Sequence, residues 1–60
     1  MKSYKKGDIL KVFDPEGVKI PAVYLTYMKS VRHHKVAVRR MIGGVSRKIY
    51  WYINDSRIAG

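Results

Sequence analysis

Sixty residues without a cysteine allow one small domain spanning residues 1–60, and they exclude a disulfide framework and a thiolate metal site. A formal charge of +9, from 13 Lys and Arg against 4 Asp and Glu, is large for this length; it opposes compaction and attracts polyanions from a distance. No apolar run approaches the roughly 20 residues that cross a bilayer, so no membrane role is expected.

Taken in order, the chain reads as strand, turn, strand, with no convincing helix. The start, Met1-Lys2-Ser3-Tyr4-Lys5-Lys6, is basic, but no apolar stretch of an export signal follows it. Lys6-Gly7-Asp8 turns into a first strand, Ile9–Phe13, in which Leu10 and Val12 are expected to point inward. Asp14-Pro15-Glu16-Gly17 stops it with Asp, Pro and Gly at the first, second and fourth positions of a type I turn. Pro21 is expected to open the second strand, where a missing N–H is tolerable. From Pro21 to Lys29 the alternation sets Val23, Leu25 and Tyr27 on one face and Ala22, Tyr24 and Met28 on the other. Ser30–His33 reads as a basic connecting loop.

The best-defined element is a hairpin. Val36–Ile42 and Val45–Ile53 flank Gly43-Gly44, a pair able to adopt the positive φ angles of a two-residue turn. That turn opposes Ile42 to Val45, Arg40 to Arg47, Arg39 to Lys48, Val38 to Ile49, Ala37 to Tyr50, Val36 to Trp51 and Lys35 to Tyr52. Val36, Val38, Ile49 and Trp51 then form a core face, and Lys35, Arg39, Lys48, Tyr50 and Tyr52 a solvent face. Ile53-Asn54-Asp55-Ser56-Arg57-Ile58 ends the chain as a short turn and one last strand residue.

The opening Lys6-Gly7-Asp8-Ile9-Leu10-Lys11-Val12, the meander and this closing segment together resemble an SH3-like small barrel. The resemblance implies an all-β fold of about five short antiparallel strands. The superfold includes KOW and Tudor modules, the DNA-binding C-terminal domain of retroviral integrases and peptide-binding SH3 domains, so fold alone does not name the function.

Charge distribution says more. Residues 28–53 hold seven cations and no acid, whereas residues 1–27 set five Lys against three acids and residues 54–60 are balanced. The excess sits in one half of the chain, with aromatics among the cations. The opposed pairs Arg39–Lys48 and Arg40–Arg47 cost on the order of 0.2–1 kcal/mol each across a strand pair. A small domain gains no stability from them, and a bound anion offsets the repulsion. Arg39, Arg40, Arg47 and Lys48 are therefore the candidate phosphate contacts, extended by Lys29, Arg32, His33 and Lys35, while Tyr50 and Tyr52 supply flat surfaces for bases or sugars. His33 and His34, being adjacent, point to opposite faces of a strand and do not chelate one metal; both are expected as surface donors that strengthen anion binding in acid. No metal or cofactor is expected.

Enzymatic chemistry lacks support, since the four carboxylates are scattered among turns and no Ser has a base partner. The expected function is a small non-catalytic nucleic-acid-binding protein serving as an architectural, regulatory or accessory factor. Duplex DNA is favoured over RNA because its grooves accept a two-stranded ribbon. The alternative is an interaction module or inhibitor that binds an acidic protein. A cytoplasmic location is expected, which the absence of cysteine fits, and formation of a homo-oligomer is a second route to buried area.

Overall fold

A computed structural model describes residues 4–59; the basic opening Met1-Lys2-Ser3 and Gly60 lie outside the described residues. Four strands form one antiparallel sheet in the order β1-β2-β3-β4: β1 Ile9–Phe13, β2 Lys19–Met28, β3 His33–Ile42 and β4 Val45–Ile53. A 3₁₀ turn, η1 Asp55–Arg57, follows. The fold is all-β, but with four strands rather than five. Among the described residues the edge strands do not pair with each other, so the sheet is not closed. The expected fifth strand is reduced to one bridge, Val12 to Ile58, and one hydrogen bond in which Ala59 N donates to the Lys11 carbonyl (2.7 Å).

The first hairpin follows from Asp14. Its backbone carbonyl accepts from Gly17 N (2.9 Å), closing the turn. One carboxylate oxygen accepts from both Glu16 N and Val18 N (2.9 Å each). Gly17 sits at φ 85°, a conformation that glycine takes without penalty. The turn therefore forms where expected, and Leu10 and Val12 point inward.

Strand β2 starts at Lys19, two residues before the expected Pro21. Even-numbered residues there face β1, as when Tyr24 N donates to the Asp8 carbonyl (2.8 Å), so Pro21 directs its missing N–H toward β3. The β2–β3 ladder begins only at Val23–Ala37, and no bond is lost. Strict alternation fails further along β2. Tyr24 pairs with Val36 but Thr26 with Lys35, leaving Leu25 as a bulge. An extra residue inverts the parity of the strand beyond it. Tyr27, expected on the face opposite Tyr24, instead pairs with His34, its ring 5.0 Å from the imidazole.

Strand β3 begins at His33, three residues before the expected Val36, and the β3–β4 register matches every pair that the Gly43-Gly44 turn implied. Both glycines have positive φ, 59° and 79°. The core gathers Leu10, Val12, Ala22, Tyr24, Val36, Val38 and Ile53, with Ile49, Trp51 and Ile58 among the half-buried side chains against it. His34 belongs to this interior too. It is buried rather than a surface donor, because the alternation through Val38 and Val36 continues inward to it.

Candidate nucleic-acid interface

Parity along β3 and β4 decides where the cations go. On the outer face, His33, Lys35, Ala37 and Arg39 alternate along β3, opposite Tyr52, Tyr50 and Lys48 on β4. The Lys29–Arg32 turn adjoins the His33 end. Eight of the ten expected interface residues, all but Arg40 and Arg47, thus follow one another along a single track. From His33 to Arg39 it runs for about 20 Å at the usual rise of a strand.

The centre of the track is a lysine between two tyrosines. Lys35 Nζ lies 5.0 Å from the Tyr50 ring centre and 5.8 Å from that of Tyr52. Both tyrosines are about half exposed, at 50% and 51%. The ammonium is attracted to the ring faces and places a positive charge between two flat apolar surfaces. Next to it, Met28, Val31, His33 and Tyr52 line an apolar recess of about 360 Å³. The His33 ring is held in place by donation from Nδ1 to the Val31 carbonyl.

Arg32 ends the β2–β3 turn at φ 55°, and its N–H donates to the Lys29 carbonyl (3.3 Å). That left-handed conformation favours glycine, so an arginine there is strained.

Arg40 and Arg47 oppose each other on the core-side face. The Arg40 and Arg57 guanidinium groups both lie over the Trp51 ring, 5.8 and 5.4 Å from its centre. Arg57 also donates from Nε and Nη2 to the Phe13 carbonyl (2.9 and 2.8 Å), which ties the C-terminal turn to the end of β1. The four hairpin cations therefore divide into two pairs on opposite faces of one ribbon. Residues 39–48 are all exposed, so this half of the hairpin projects as an arm; the described chain, arm included, extends 37 × 20 × 19 Å.

Sequence reasoning missed the outer surface beside the track. Ile9, Val23, Ala37 and Tyr50 are successive cross-strand neighbours through all four strands. They make an apolar row bordered by Lys11 and Arg39. A shallow groove of about 240 Å³ lies along it, between Ile9, Val23, Ala37 and Arg39. The apolar residues at odd positions of β1 and β2 carried that signal, but only the pairing of four strands aligns them.

A polar cluster of the buried Tyr24 and His34 with the exposed Asp55 was missed as well. The Asp55 carboxylate accepts from His34 Nε2, and the Tyr24 hydroxyl is hydrogen-bonded to His34 Nδ1 (2.9 Å). Burial pushes the Tyr24 phenol up, reinforced by Tyr27, Tyr4 and Asp55 nearby. This chain joins β2, β3 and η1 beneath the sheet, on the side away from the track. Among the described residues no buried side-chain polar atom lacks a partner, and no three His, Asp or Glu come together as a metal site. Among the described residues no helix is long and apolar enough to cross a membrane. Compared with protein-family models, curated proteins and solved structures, the chain finds no match in any of the three.

Proposed function

We propose that this protein is a non-catalytic nucleic-acid-binding module of SH3-like type, acting as an architectural, regulatory or accessory factor with duplex DNA as its favoured ligand. The observation that carries the reading is the exposed arm of residues 39–48, which bears four cations, two on each face, and no acid. A ribbon in a groove has phosphates on both sides, and cations on both faces suit that position. The track from Lys29 and Arg32 through Lys35 to Arg39 and Lys48 follows the adjoining backbone, and Tyr50 and Tyr52 pack on sugars or exposed bases. The SH3-like assignment rests on the strand meander, the η1 turn and the Val12–Ile58 bridge that brings the C-terminal segment against β1.

A second reading, an acidic protein partner, draws on the apolar row from Ile9 to Tyr50, which such a surface covers while meeting the flanking cations. Fluorescence anisotropy separates the two. Labelled duplex DNA, single-stranded DNA and structured RNA are titrated at several salt concentrations. Tight duplex binding with a log–log salt slope of about −3.6 or steeper, the equivalent of four phosphate contacts, supports the proposal. Weak and equal binding of all three at physiological salt overturns it in favour of the acidic protein.

A further inference from the structure

The end of the arm is apolar, which electrostatic attraction to phosphates does not require. Met41, Ile42 and Val45 are 71%, 49% and 54% exposed, and none belongs to the core cluster or packs on it. Ile42 and Val45 face each other across the last rung before the turn, with Arg40 and Arg47 two residues behind them on the same face. Met41 lies on the opposite face, two residues from Arg39. No atom comes within 4 Å of where a Cβ at Gly43 or Gly44 would sit, so the tip stands clear of the body. A blunt apolar end on a ribbon whose stem is cationic on both faces has two chemistries to satisfy at once.

We infer that this tip is a wedge: with the ribbon in the minor groove of duplex DNA, Ile42 and Val45 insert between adjacent base pairs and kink the helix. The inference rests on the proposed nucleic-acid reading and deepens it. Three physical points support it. The major groove takes a two-stranded ribbon undistorted and leaves an apolar tip without a role, whereas the minor groove, about 6 Å wide, takes it only if pried open, which is the work of an apolar wedge. Prying base pairs apart from the minor groove bends the duplex away and widens that groove, and apolar side chains suit the newly exposed base faces. Last, the arm's cations decide between occupants. Apposing the tips of two copies would crowd eight arginines and lysines together, whereas in DNA the same four cations meet the two phosphate walls.

The test is a duplex of about 30 base pairs, dye-labelled at both ends and containing a central TA step, titrated with the whole protein. Energy transfer reports the kink and anisotropy reports binding. The wild-type chain is expected to raise transfer on binding. Ile42→Ser with Val45→Ser is expected to abolish the rise, weaken binding roughly tenfold through lost apolar burial, and leave the salt slope intact because every cation remains. These side chains lie outside the core, so circular dichroism and Tm should match wild type; Val45→Thr, which keeps the β-branched shape, is the milder variant if the double substitution perturbs the hairpin. Tight binding to a duplex that stays straight overturns the wedge and leaves nucleic-acid binding standing. An equal kink from wild type and both variants also overturns it. Absence of binding to any nucleic acid overturns both readings, and concentration-dependent dimerisation lost in the double variant would assign the tip to a second copy instead.

Discussion

Arg39 and Lys48 face each other on the exposed outer surface of β3 and β4, and that arrangement makes stability and binding move in opposite directions. Replacing Arg39 with Glu turns a repulsive cross-strand pair into an attractive one. Relief of repulsion and the new attraction each contribute about 0.5 kcal/mol, a figure kept low because both groups are exposed and screened by solvent. The total is about 1 kcal/mol. For a chain of this size the unfolding entropy is about 0.13 kcal/mol/K, so Tm should rise by about 8 °C. Binding to duplex DNA should weaken, with the salt slope falling by about 1 as one phosphate contact is lost. Lys48→Glu should behave alike. The double variant restores a like-charge pair, now negative, so its Tm should return close to wild type while its affinity is the lowest of the set. Thermal unfolding by circular dichroism and anisotropy at several salt concentrations read the two axes. If neither single variant gains stability, the opposed pair is not the source of strain assigned to it; if the double variant binds like wild type, the outer face is not the interface.

Three further outcomes are expected. Val38→Ala removes two carbons from a fully buried position and should cost about 2 kcal/mol in urea denaturation, and an unchanged midpoint would place Val38 outside the core. Because burial raises the Tyr24 phenol, the folded chain holds that proton where the unfolded chain has lost it. Its contribution is complete below the ordinary value of 10.0 and declines as pH rises beyond it; Tm measured from pH 8 to 11 should fall more steeply for wild type than for Tyr24→Phe, and parallel curves would refute the assignment. Arg32→Gly relieves a positive φ and should raise stability by about 0.5–1 kcal/mol while weakening DNA binding; a less stable variant would mean that the side chain, not the backbone, governs that turn.

Local chemistry determined a large part of this protein. The side chain and carbonyl of Asp14 and the backbone freedom of Gly17 act within five residues, and Gly43-Gly44 sets a register in which the alternation of Val36, Val38, Ile49 and Trp51 agrees with the turn. Strand positions and facing pairs in β3–β4 were therefore legible in advance, as was the acid-free basic segment. Features that depended on distant partners were not. The Leu25 bulge inverts the end of β2, and it exists only because β3 pairs alongside. His34 looked like a surface base because its neighbours are basic, yet its partners Tyr24 and Asp55 lie 10 and 21 residues away. Extending the Val38–Val36 alternation one step would have placed it inside. The four hairpin cations were visible in the sequence as a single group. Parity already set Arg39 and Lys48 on one face and Arg40 and Arg47 on the other; tertiary structure decided that both faces are open, by ending the core at Val38 so that the ribbon beyond is exposed. Period-two alternation assigns a side chain to a face, but only the packed body determines whether that face is interior, surface or the free side of an arm.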